Sequence, residues 1–148
     1  MGPIVCSVDD SDAAEGVVRI AKELAAALDG ELVLLHVAPP TEAPGVSAAP
    51  AGQPRLREAE LDEARRLLES VAARVGAENA AMRAEIGSAA DRILAISSDE
   101  SAALVVLGSR GRGDLKSAVL GSVSHDVASN ATCPVVIVPP DAVGRSLH

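Results

Sequence analysis

Glycine and small hydroxyl residues cluster toward the C-terminal end of the chain. Gly108-Ser109-Arg110-Gly111 is followed by nine residues and then by Gly121-Ser122-Val123-Ser124. The run comes directly after an apolar strand candidate, Leu104-Val105-Val106-Leu107, and its last part leads into a helical stretch. Glycines at a strand exit let backbone N–H groups come close to a bound anion. Hydroxyl residues at a helix start add donors where the dipole already favours negative charge. The chemistry these residues suit is the holding of a phosphate chain. A second polar group, Asp9-Asp10-Ser11-Asp12, breaks the first apolar run of the sequence and offers carboxylates at another strand end.

Neither segment is a standard nucleotide motif. Gly108 and Gly113 have the four-residue gap of a P-loop, but Asp114 stands where that motif needs lysine. A dinucleotide fingerprint belongs after the first strand, where aspartates stand instead. On residue chemistry alone the glycine loop reads equally as a phosphate cradle or as a structural strand exit. Catalytic constellations do not emerge. His36 ends a buried strand, His125 lies on a helix and His148 is the last residue. His125 and its neighbour Asp126 project in different directions from a helix and cannot form a relay. With no general base aimed at a γ-phosphate, binding is favoured over hydrolysis, and no residue is assigned a catalytic role.

Composition narrows the partners. The formal net charge of −8 disfavours nucleic acid, which requires a basic surface, but leaves room for a small nucleotide held by a local positive site. There is no Phe, Tyr or Trp, so a base would sit between aliphatic side chains and be read by backbone groups. The core must come from Val, Leu, Ile and Ala. Cys6 and Cys133 make neither a disulfide framework nor a metal site, and both read as packing residues. No signal peptide or membrane span is apparent, so the cytoplasm is the expected compartment. At 148 residues the chain is expected to form a single domain, 1–148.

The elements that must position these residues alternate. Residues 4–8 form a buried strand, and Asp12 with Glu15 predicts a capped helix carrying Val17, Ile20, Ala21, Leu24 and Leu28, closed by Gly30. A second strand spans 32–37. Residues 38–54 hold five prolines and form a long loop, either a cover for the ligand edge or a disordered connection. A helix follows, with Leu61, Ala64, Leu68, Val71 and Val75 on one face and Gly76 at its end. Met82, Ala84 and Ile86 alternate with Arg83 and Glu85, the pattern of an edge strand with one wet face. Ser88 caps a helix to about residue 98, with Ile93 and either Ile96 or Ser97 inward. The strand 104–107 is the most apolar and is expected at the centre. A helix over 122–130 and a strand over Val135–Val138 complete the chain. The pattern predicts an open, parallel, doubly wound α/β domain with five strands and four helices. Ligands in such sheets bind at the carboxyl ends of the strands, where Asp9 and the glycine loop can face each other.

The spacing Gly108-x2-Gly111-x9-Gly121-Ser122 resembles the nucleotide-binding pattern of the ATP-binding branch of the universal stress protein family. Ile4-Val5-Cys6-Ser7-Val8-Asp9-Asp10-Ser11, Leu34-Leu35-His36-Val37, Gly87 with Ile93, and Cys133-Pro134-Val135-Val136-Ile137-Val138 resemble its other signatures in order. The resemblance implies strand order 3-2-1-4-5 and an adenine–ribose site made by Asp9, Val37 and Leu107 with backbone from Ser7 and Val8. It implies ribose and phosphate contacts from Gly108, Arg110, Gly111, Gly121, Ser122, Val123 and Ser124. Arg110 and Arg112 could add positive charge, and a divalent metal such as Mg2+ could bridge the phosphates with help from Asp9 or Asp10. The function implied is that of an ATP-binding stress regulator. A slow ATP hydrolase and a ligand-free scaffold of the same fold are the competing readings. With that strand order, Val135–Val138 lies at a sheet edge without polar alternation, and a homodimer pairing it with its own copy is expected.

Overall fold

In a computed structural model of the protein, residues 1–40, 54–109 and 120–140 are described. The elements alternate through the chain: β1 (Ile4–Ser7), α1 (Ala14–Ala27), β2 (Leu32–Ala38), α2 (Pro54–Val75), β3 (Ala81–Ile86), α3 (Ala89–Asp99), β4 (Leu104–Gly108), α4 (Ser122–Asn130) and β5 (Val135–Val138). The five strands form one parallel sheet in the order β3-β2-β1-β4-β5. This is the open, doubly wound α/β architecture expected from the alternation, with the order implied by the resemblance.

Strand periodicity divides the core into two layers. Ile4, Cys6, Val8, Leu34 and Val106 face one side and pack with buried residues of α1 and α2, among them Val18, Leu68 and Ala72. Val5, Val33, Leu35, Val37, Val105 and Leu107 face the other, against Ile93 and Ile96 of α3 and Val127 of α4. A strand buried on both faces needs a continuous aliphatic run, and these runs supply it. The pairing of Ile4 with both Leu32 and Leu104 puts β1 in the middle of the sheet. The expectation that residues 104–107 would be central is therefore displaced by one strand: β4 is internal, beside β1. Chain direction across the sheet reverses between β1 and β4, which opens a crevice at their carboxyl ends.

Local corrections have identifiable causes. Helix α1 starts at Ala14, with Ala13 and not Asp12 at its N-cap and no side-chain cap; the aspartate that bonds the backbone is Asp9, through Ser11. Asp29, at φ 53°, makes the left-handed turn expected of Gly30. Gly30 is constrained by space: a Cβ there would come within 2.4 Å of the Ile4 Cδ1 atom. Helix α2 ends as expected, with Gly76 at φ 70°. Ser88 occupies the N-cap of α3, but its hydroxyl makes no capping bond, and Ile96 and Ser97 are both buried. β3 is an edge strand, and its polar face is an ion-pair chain: Arg83 reaches Glu100 at 2.8 Å and Arg92 reaches Glu85 at 2.9 Å. At the opposite edge, β5 is less enclosed than its apolar sequence predicts. Only Val138 is buried, while Val135, Val136 and Ile137 are half-buried. The proline-rich segment falls mostly on residues 41–53, outside the described residues.

Candidate functional site

The crevice between β1 and β4 holds a cavity of about 280 Å3 lined by Ser7, Val8, Asp9, His36, Val37, Ala89, Leu107, Gly108, Ser109, Gly121, Ser122, Val123 and Ser124. Ten of the positions singled out from sequence are brought together here: Ser7, Val8, Asp9, Val37, Leu107, Gly108, Gly121, Ser122, Val123 and Ser124. Arg110, Gly111 and Arg112 lie outside the described residues. Val37 and Leu107 are buried and form apolar walls from β2 and β4.

On the β1 side the chain is closed by its own hydrogen bonds. Val8 extends the ladder past the strand by donating its N–H to the Leu35 carbonyl at 2.7 Å. Its carbonyl lies 2.6 Å from His36 Nδ1. Asp9 Oδ1 accepts the backbone N–H of Ser11 at 2.9 Å and the Ser11 hydroxyl as well. This is an Asx turn: a short carboxylate side chain ties down the backbone two residues on. The carboxylate keeps a second oxygen and a partly exposed position at the crevice wall. Beneath it, Cys6 is fully buried, and that burial, helped by the Asp9 charge, pushes its thiol up to about 12.

The β4 side is held at its roots. Ser109 donates its N–H to the Val138 carbonyl at 3.0 Å, and its own carbonyl accepts the Gly121 N–H at 2.8 Å and the Ser124 hydroxyl at 2.9 Å. The Ser124 hydroxyl also lies 3.0 Å from the Gly121 carbonyl. A hydroxyl has one proton, and both neighbours are acceptors, so Ser124 fastens the two ends of the 110–120 segment together. In this geometry it does not present its proton to the cavity. The role of donor passes to the backbone: Gly121 is the N-cap of α4, and Ser122, Val123 and Ser124 form its first turn, whose amides have no partner within the helix. Exposed Ser122 adds a hydroxyl at the same helix end. The crevice thus has an acceptor wall at Asp9 and a donor wall at the start of α4, where the helix dipole favours negative charge.

Three cavity residues were not singled out from sequence. Ser109 sits inside the glycine motif and Ala89 follows Gly87-Ser88, so both were adjacent to recognised signals. His36 precedes Val37, but strand alternation assigns it to the opposite face; only the end of the sheet lets its ring reach the crevice. Behind it lies a second cavity of about 290 Å3, lined by Asp10, His36, Ala38, Pro39, Glu60, Glu63, Ala64 and Leu67. Among the described residues, no cluster of three or more His, Cys, Asp or Glu side chains is placed to hold a metal ion. No helix among them is long and apolar enough to cross a membrane.

The sequence pattern of the universal stress protein family matches residues 1–139. The chain belongs to that family. Universal stress protein YxiE of Bacillus subtilis is 34% identical over 146 residues, covering 91% of this chain and 97% of that protein. The universal stress protein of Archaeoglobus fulgidus in complex with dAMP is similar in structure, with TM-score 0.65 and 25% identity, covering 93% of this chain and 98% of that one. A universal stress protein in complex with cAMP matches with TM-score 0.68 and 24% identity over 93% of this chain and 96% of the other, which supports the shared fold.

Proposed function

We propose that this universal stress protein binds an adenine nucleotide, ATP or a close relative, in the β1–β4 crevice, and acts as a stress-response regulator or sensor with little or no intrinsic hydrolysis. The observation that carries the reading is the polarity of the cavity. Val37 and Leu107 offer apolar walls for a base, Asp9 offers an acceptor for ribose hydroxyls, and the first turn of α4 offers amides for phosphates. The size of the cavity, near the lower end of roughly 300–1,000 Å3 for small-molecule sites, suits a nucleoside with its phosphates leaving along α4. The dAMP and cAMP complexes of relatives support the adenine class. Arg110, Gly111 and Arg112 belong to the same proposal through the sequence motif. A divalent ion such as Mg2+ would sit on phosphate oxygens with help from Asp9 or Asp10.

The reading of binding over turnover rests on the sequence, where Asp114 stands in place of the P-loop lysine; in the cavity, Ser11 engages one Asp9 oxygen and the Val8 carbonyl engages His36 Nδ1. The free cysteines, Cys6 and Cys133, fit a reducing, cytoplasmic setting. The half-buried edge strand β5 supports a homodimer in which it pairs with its own copy. Isothermal titration of the purified protein with ATP tests the binding reading, and the absence of heat with any adenine nucleotide ends it. Light scattering at micromolar concentration tests the dimer: a mass of one chain rejects it, and Ile137→Lys should otherwise convert dimer to monomer.

A further inference from the structure

We infer that His36 is a positioning residue for the nucleotide site, acting through the Val8 carbonyl; the inference rests on the nucleotide reading of the same crevice. A carbonyl oxygen carries no proton, so the 2.6 Å contact fixes Nδ1 as the donor. The ring is thereby locked in one tautomer and one orientation at the end of β2. Val8 is held at both its polar atoms, the N–H by the Leu35 carbonyl and the carbonyl by this ring. The next peptide carries Asp9, whose carboxylate is in turn tied to Ser11. The β1 exit therefore hangs on two backbone-directed bonds from adjacent residues of β2, Leu35 and His36. Val37, the next residue of β2, is an apolar wall of the cavity. One side chain thus sets the spacing between the acceptor that faces the nucleotide and the wall beside it. A leucine of similar bulk would fill the space and leave the Val8 carbonyl without this donor.

Two amide side chains separate the atoms involved. Asn places its N–H near the position of Nδ1, whereas Gln places its N–H near that of Nε2. Titration with ATP should find His36→Asn close to wild type, and His36→Leu and His36→Gln weaker by about three- to tenfold, the worth of one hydrogen bond. In the nucleotide-free protein, amide exchange at Val8 and Ser11 should quicken in the Leu and Gln variants and stay near wild type in the Asn variant. Equal ATP affinity of wild type and His36→Leu overturns the inference. So does rescue by Gln with failure of Asn, which would assign the role to Nε2 and not to the Val8 contact. A wild-type protein without affinity for ATP removes the nucleotide reading instead; the exchange data then decide whether the ring positions the β1 exit, and unchanged rates in all variants reject it. If His36→Leu does not fold, the contrast between Asn and Gln remains decisive in the same two readouts.

Discussion

At the end of β1 the polar atoms are spent within the chain: Val8 on Leu35 and His36, and one oxygen of Asp9 on Ser11. Across the crevice, Ser109, Gly121 and Ser124 bind one another at the end of β4, and the first-turn amides of α4 have no partner within the helix. The two exits serve one cavity with opposite chemistry. The first presents a carboxylate oxygen on a fixed support, which suits donors. The second presents N–H groups and a helix dipole, which suit anions. A ligand matching both has hydroxyls or amines at one end and negative charge at the other. A sulfate or a neutral nucleoside satisfies only half of the site.

The largest expected effect comes from filling the donor side. Gly121 has φ −66° and ψ 163°, extended geometry open to any residue, so its small size is not required by the backbone. Gly121→Val should preserve the melting temperature within a few degrees yet put two methyl groups where the phosphates would lie. Affinity for ATP should fall by about a hundredfold, the upper range of overpacking costs. Titration with adenosine should show a much smaller loss. If adenosine and ATP suffer equally, the division of the crevice into a phosphate side and a nucleoside side is wrong.

The acceptor side gives the next effect, without that selectivity. Asp9→Asn keeps an oxygen for Ser11 but removes the charge and part of the acceptor capacity. A hydrogen bond to a charged group is worth about 1.5–3 kcal/mol, so binding should weaken by roughly ten- to a hundredfold for adenosine and ATP alike. Stronger ATP binding by Asp9→Asn, with adenosine unaffected, would mean that Asp9 repels phosphate and contributes nothing to ribose recognition.

Ser124→Ala should act on the scaffold more than on the ligand. The Ser109 carbonyl would keep the Gly121 N–H and lose the buried hydroxyl, at a cost of about 1 kcal/mol. For a chain of this size that is a fall of about 3 °C in melting temperature. A calorimetric scan checks it. A variant as stable as wild type but unable to bind ATP would show that the hydroxyl serves the ligand and that its bonds to carbonyl oxygens are incidental.

How much of this was readable in the residues differs between the two exits. On the donor side the placement was legible: glycines and hydroxyls at a strand-to-helix passage mark it, and Gly121, Ser122 and Val123 line the cavity, although a structural strand exit uses the same residues. The role of Ser124 was not, because a hydroxyl facing a ligand and one facing a carbonyl look the same in sequence. On the acceptor side Asp9 was legible as a strand-end carboxylate, but Asp12 was read as the helix cap. Ala13 stands at the N-cap instead, and three aspartates in four positions do not reveal in sequence which of them bonds the backbone. The fold was legible almost throughout, since aliphatic runs of four or five residues flanked by amphipathic helices fit few architectures. His36 was missed because strand alternation puts it on the face away from Val37, and only the end of a sheet allows a side chain to reach around.

The last effect is silent at neutral pH and reports on the closed exit alone. Cys6 lies two residues before Val8, fully buried, and its thiol is pushed from the ordinary 9.0 up to about 12 by burial first and the Asp9 charge second. Below about pH 9 the thiol is neutral in both folded and unfolded chains, and its contribution to stability is fully present. Between 9 and 12 the unfolded chain ionises while the folded one does not. The unfolded state then binds fewer protons, and stability falls with rising pH by up to about 1.4 kcal/mol per unit. Urea unfolding of wild type and Cys6→Ala at pH 8 and 10 should therefore show a gap that narrows at the higher pH, since only wild type pays this cost. In Asp9→Asn the narrowing should be slightly less, because one of the two causes has been removed. Cys133, half-buried two residues before β5, should react with iodoacetamide in the folded protein well before Cys6 does. Equal labelling of both thiols at pH 8 would mean that the β1 exit opens often enough to expose the layer beneath it, and the contrast between a closed and an open exit would no longer hold.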